Sequence, residues 1–162
     1  MEELRSILAS LGELYHVTLA ERWEHVRIRG FDPAESHRIN GGLYSIGAFA
    51  GRGFNCFVTR PQLHRVFQMF DDGMGGGVGD RVILRVPARV IAERTFDLDR
   101  TQETIGLALR GIDVPDPMLF QSLLDEVGYV VCFDPVPPEC IEFVAPVAGF
   151  HANPGDAADG GA

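Results

Sequence analysis

The chain contains no lysine: its 14 strong cations are all arginine, set against 23 acidic residues for a formal charge of −9. That balance argues against a broad phosphate-binding face, because nucleic-acid affinity rests on many Lys and Arg contacts that neutralise the backbone. The arginine-only usage reads as compositional bias, although a fixed guanidinium fork also suits carboxylate and phosphate groups. Cysteine is scarce. Cys56, Cys132 and Cys140 are odd in number and show no CxxC spacing, which suggests neither a disulfide framework nor a four-ligand zinc site. They read as reduced core thiols, and His16, His25, His37 and His64 form no metal-binding pair. Long apolar runs are also missing: nothing approaches the ~20 residues of a membrane span, and no basic leader precedes an apolar stretch. A soluble, cytoplasmic protein with no membrane partner is the expectation.

What is present is enough for one core: 162 residues, 46% of them hydrophobic. A single domain over residues 1–150 is expected, followed by a Gly-, Ala- and Asp-rich disordered tail over 151–162.

Leu4, Ile7, Leu8 and Leu11 recur at helical spacing behind Glu2 and Glu3, predicting an amphipathic helix over residues 2–11 that stops at Gly12. Glu13 to Val17 reads as a strand. Thr18 with Glu21 has the T-x-x-E capping-box pattern, predicting a second helix from about Leu19 to Arg29, ending at Gly30 and burying Trp23 and Val26. Phe31 to Gly53 is a long glycine-rich loop, the kind of segment that often carries function. A strand over Phe54 to Val58 leads into a helix opened by Pro61, and Arg81 to Val86 alternates as a central strand after a second glycine-rich turn. Val90 to Leu98 suits strand or short helix, and Pro117 to Val127 a helix. Tyr129 to Phe133 and Cys140 to Val144 read as a late strand pair joined by Asp134-Pro135-Val136-Pro137-Pro138-Glu139. Helices crowd the first half and strands the second, which predicts an α+β domain with a mostly antiparallel or split sheet.

The pentapeptide Leu14-Tyr15-His16-Val17-Thr18 puts one imidazole at a strand end before a helix. Together with Phe54-Asn55-Cys56-Phe57-Val58-Thr59 and Pro137-Pro138-Glu139-Cys140-Ile141, it resembles the motif series of the ADP-ribosyltransferase-like superfamily. That group includes poly(ADP-ribose) polymerases, toxin relatives and RNA 2′-phosphotransferases, and the resemblance spans roughly Gly12 to Val147. It implies NAD⁺ as a substrate, gripped by Tyr15, His16, Val17 and Thr18. His16 would hold the nicotinamide ribose, and the Val17 backbone, where the family pattern has Gly, would meet the carboxamide. Tyr44 or Phe57 would stack on the nicotinamide. Glu139 would be the catalytic carboxylate, with Glu142 a neighbouring competitor. The implied activity is ADP-ribosyl transfer to a protein or nucleic-acid acceptor, or NAD⁺ hydrolysis. A non-catalytic binding or immunity-type module on the same fold, and an RNA 2′-phosphotransferase using cations such as Arg22, Arg38, Arg52, Arg60 and Arg65, are the alternatives.

Each residue also has a plain structural role open to it. Thr18 is accounted for by capping, Phe57 by core packing and Glu139 by a polar turn. The Gly73–Gly79 run lacks the Lys-Ser or Lys-Thr pair of a phosphate loop, and Ser36, His37 and Asp32 lack a nucleophile-elbow context.

Overall fold

A computed structural model describes residues 1–35, 53–71, 79–98 and 116–151. Tyr44, most of the first glycine-rich loop, Gly73–Gly77 of the second and residues 152–162 of the tail lie outside them.

Among the described residues six strands form one sheet: β1 (Glu13–Leu19), β2 (Asn55–Val58), β3 (Arg81–Pro87), β4 (Phe96–Leu98), β5 (Tyr129–Cys132) and β6 (Glu142–Pro146). Their order is β4-β5-β2-β1-β3-β6, and every pairing is antiparallel. The helices whose full extent lies among the described residues are α1 (Glu2–Ala9), α2 (Ala20–Arg29), α3 (Leu63–Asp71), α4 (Ala88–Ala92), α5 (Pro117–Glu126) and α6 (Val147–His151), with single 3-10 turns at Arg60–Gln62 and Pro138–Cys140. This is an α+β fold, a six-stranded antiparallel sheet flanked by helices.

Strand alternation sends neighbouring side chains to opposite faces, and two cores result. On one face Leu14, Phe57, Leu84 and Val130 pack with Leu4 and Leu8 of α1, Ile91 of α4 and Phe120 and Leu124 of α5. Their neighbours Tyr15, Val58, Ile83 and Tyr129 face the other way, against Leu63 and Phe67 of α3 and Val147 and Phe150 of α6. Of the two, the first is the larger, and α2 contributes the partly buried Trp23 and Val26 to it. Helix α1 is pinned there by Arg5, whose guanidinium donates to the carbonyls of Ala92 and Arg94.

Several sequence expectations need correction. The strand does not end at Val17: β1 pairs with β3 through Leu19↔Arg81, and the Ala20 amide donates to Asp80 O at 2.8 Å. Thr18 is therefore a strand residue opposite Val82, Leu19 occupies the cap of α2, and no side chain caps it. The ladder to β3 outweighs a local capping box because it supplies backbone partners on every other residue of a longer strand. Helix α1 stops at Ala9, its last turn tightening through Leu11 N–H to Leu8 O and Gly12 N–H to Ala9 O. The late strands are not a pair: β5 and β6 lie on opposite sides of β1, because the proline-rich segment crosses the sheet instead of turning back. Cys140 belongs to the 3-10 turn before β6, and Val90 to Leu98 divides between α4 and β4. Helices and strands thus alternate along the chain. Asp116, which sequence reading passed over, caps α5 by accepting from the Leu119 amide at 2.8 Å.

Candidate functional site

β1 runs against β3 over all seven of its residues, yet meets β2 at one register pair, Tyr15↔Val58. Past that pair the sheet splits, and His16, Val17 and Thr18 lie along the opening. The His16 side chain does what a ladder bond would otherwise do. Its Nδ1 stands 2.6 Å from the carbonyl of Cys56 on β2. A carbonyl only accepts, so Nδ1 carries the proton and Nε2 presents a lone pair.

Two aromatic rings hold the imidazole. Phe31 meets it edge-on at a centroid distance of 4.7 Å and Phe57 at 5.7 Å, and the two phenyl rings contact each other at 5.2 Å. Phe31 is only 3% exposed and Phe57 0%. Phe57 is therefore a support beneath His16, and its ring face is covered. Burial, partly opposed by the Cys56 hydrogen bond and reinforced by the positive charge of Arg22, pushes the His16 pKa down to about 4. The imidazole is neutral at neutral pH, an acceptor at Nε2 with a guanidinium in its neighbourhood.

The rest of the pentapeptide divides by face. Tyr15, 2% exposed, points away from His16 into the second core. Its hydroxyl donates to Glu13 Oε2 and accepts from Arg60 Nη1, both at 3.0 Å, while the Arg60 guanidinium lies over the Tyr15 and Phe150 rings. The Tyr15 pKa is raised by burial first and by the Glu13 hydrogen bond second. Val17 packs partly against that same core, so its side chain does not fill the opening where the family pattern has Gly. Arg60 lies with Tyr15 on the face opposite His16, and Arg65 donates to the Glu126 carbonyl; Arg38 and Arg52 are outside the described residues.

Glu139 sits on the 3-10 turn Pro138–Cys140, just ahead of β6. The turn is locked to the start of the first loop. Phe31 and Val136 exchange backbone hydrogen bonds of 2.9 and 3.0 Å, and Gly30, at φ 78°, leaves no room for a Cβ, which would come within 2.1 Å of Val136 O. Glu139 itself is exposed and lines a cleft of about 500 Å³ between β3, α4 and β6. His16 is not part of that lining. Glu142, the other carboxylate of the motif, is held by a bidentate pair with Arg85, both contacts at 2.8 Å, with Glu13 3.7 Å away on the other side. Arg85 holds the Glu142 carboxyl below its usual range.

Cys56, whose carbonyl orients His16, and Phe31, which braces it, were missed by sequence reading. An aromatic directly after a helix-ending Gly is the signal that would have found Phe31. Among the described residues no cluster of three His, Cys, Asp or Glu side chains is suited to a metal ion. Nor is any described helix long and apolar enough to cross a membrane.

No family model matches the chain, and no curated protein matches it. Among solved structures, a chain named EcPltA is similar at 17% identity and a TM-score of 0.44, over 80% of this chain and 72% of that one.

Proposed function

We propose that the chain binds NAD⁺ in the opening between β1 and β2 and cleaves its nicotinamide–ribose bond, passing ADP-ribose to an acceptor group or to water. The observation that carries this reading is His16: a neutral imidazole in a sheet opening, its proton fixed on Nδ1 by Cys56 O, its Nε2 free to accept from a ribose hydroxyl. The main chain of Val17, on the side where β1 leaves β2, meets the carboxamide, and Tyr15 and Thr18 hold the strand on either side. Tyr44 is the ring proposed to cover the nicotinamide, since Phe57 is committed to bracing His16.

Cleavage sends the C–N bonding pair to nicotinamide and leaves an oxocarbenium-like ribose. A carboxylate beside that charge lowers the barrier, and Glu139 is the residue proposed for it. An acceptor lone pair then bonds to the anomeric carbon as the acceptor's proton departs. The acceptor is a protein or nucleic-acid group, or water.

A second reading, a module that holds a nucleotide without turnover, is favoured by one observation: Glu139 lines a cleft that does not include His16. Free nicotinamide, quantified after incubation with NAD⁺ for the wild type, His16→Asn and Glu139→Gln, separates the two. Release that falls at least about 100-fold in Glu139→Gln supports the transferase, since a stabilising group of this kind contributes roughly 10²–10³ in rate. Binding without release supports the module. Neither binding nor release overturns both.

A further inference from the structure

We propose that the opening between β1 and β2 is a latched mouth. It widens and closes about the Tyr15↔Val58 pair as a local event, with the His16–Cys56 hydrogen bond as its latch, while the ladders on either side stay paired.

The sheet is built as two well-paired halves. In one, β1 pairs with β3 over all seven of its residues, and β3 with β6. In the other, β2 pairs with β5 over all four of its own, and β5 with β4. Between the halves the ladder supplies the single pair Tyr15↔Val58. That pair is a firm pivot, because it is packed on both faces: Leu14 and Phe57 lie in the first core, Tyr15 and Val58 in the second. A side chain reinforces it from the second face, where Arg60, just beyond β2, donates to the Tyr15 hydroxyl at 3.0 Å and lies 5.7 Å from the ring centroid.

Past the pivot the antiparallel register would set Val17 opposite Cys56, yet among the described residues no ladder pair forms there. Val17, Thr18 and Cys56 are only half-buried. The hydrogen bond across this stretch comes from a side chain, His16 Nδ1–H to Cys56 O at 2.6 Å. A side-chain bond breaks by rotation of the imidazole and disturbs neither backbone ladder. The mouth therefore opens at the cost of one hydrogen bond, whereas parting β1 from β3 breaks a ladder seven residues long. Pivot and latch sit on consecutive residues of β1 that face opposite ways, so the Tyr15 hydroxyl on one face and the His16 imidazole on the other are coupled through one strand: loosening the pivot frees the latch. The mouth needs no NAD⁺ to open, and so stands or falls apart from the transfer reading.

Residue-resolved hydrogen exchange by NMR on the whole chain without ligand tests it. The probes are the His16 Nδ1–H and the backbone amides of the β1–β3 ladder, each compared with its own rate in an unstructured peptide. The Nδ1–H is expected to be protected, yet at least about 100-fold less than the slowest β3 amides, whose exchange follows global unfolding. Low urea should speed those amides and leave the Nδ1–H rate nearly unchanged, since a local opening exposes little surface. Tyr15→Phe keeps the ring and removes the pivot's hydrogen bond. It should speed the Nδ1–H about fivefold more than the β3 amides, the value of one hydrogen bond. An Nδ1–H that shares the protection and urea dependence of the β3 amides makes the sheet one unit and overturns the proposal. A proton as labile as that of free histidine, or equal acceleration of both probes in Tyr15→Phe, overturns it as well.

Discussion

The ring edge of Phe31 bears on the imidazole of His16 at 4.7 Å, while the backbone of Phe31 is bridged to Val136. One residue thus fixes the orientation of the imidazole and ties it to the turn that carries Glu139. Replacing it with leucine keeps the bridge and most of the buried volume but removes the ring edge and admits water. Phe31→Leu is expected to raise the His16 pKa from about 4 toward the ordinary histidine value of about 6.5. The stability loss should be about 1–2 kcal/mol. Imidazole NMR titration alongside urea unfolding reads both, and an unmoved pKa contradicts the bracing role.

Gly30 and Gly12 make a controlled pair. Both sit at positive φ, 78° and 79°, but a Cβ at Gly30 meets Val136 O at 2.1 Å whereas one at Gly12 meets nothing within 4 Å. Gly12→Ala should cost about 1–2 kcal/mol from backbone strain alone. Gly30→Ala adds a clash with backbone that has no room to move, so it should be the more destabilising of the two in denaturant unfolding. Equal losses would mean that the Gly30–Val136 packing is dispensable.

His16 also sets a pH dependence. Its folded pKa is depressed to about 4, so between that value and the unfolded value near 6.5 the unfolded chain binds more protons than the folded one. Stability therefore rises with pH across this window, is complete above about 6.5, and falls by up to about 3 kcal/mol as pH drops through it. His16→Asn, whose amide N–H can still donate to Cys56 O, removes the titration and should flatten the slope. Urea midpoints between pH 4 and 7 for the two proteins test this.

Glu142 acts at lower pH and with the same sign. Its carboxyl is lowered by Arg85, so the pair's contribution is present above the unfolded carboxylate value and is lost as pH falls through the lowered one. Because Glu142 is solvent-exposed, Glu142→Gln should change the melting temperature little at neutral pH, and less still at high salt. Its signature is a shallower acid limb below pH 4.5. A large destabilisation at neutral pH would contradict the exposed placement.

The periodic elements were legible in the sequence because burial enforces their spacing: Leu4 and Leu8 mark α1, and the alternation of Val82, Ile83, Leu84 and Val86 marks β3 with each residue on the face its position implies. Local patterns misled where a long-range ladder competed with them. Thr18 has the right neighbours for a cap, but β3 holds it in the strand. The proline-rich segment after β5 gave no hint that it crosses the sheet, since a chain reversal and a crossover begin with the same residues. At the site, His16 stood out by type and position. Its brace did not, because Phe31 and Cys56 come from other elements of the chain and act through a ring edge and a carbonyl; a carbonyl has no sequence signature, and the one local signal for Phe31 is its place directly after the helix-ending Gly30.

The His16 imidazole, fixed in the opening of the sheet, is the group proposed to receive NAD⁺. Titrating NAD⁺ by calorimetry into the wild type and His16→Asn tests it most directly, because the variant keeps the Cys56 hydrogen bond and lacks only the Nε2 acceptor. Saturable binding to the wild type and at least about tenfold weaker binding to the variant are expected. Equal affinity, or no binding to the wild type at millimolar NAD⁺, would contradict it.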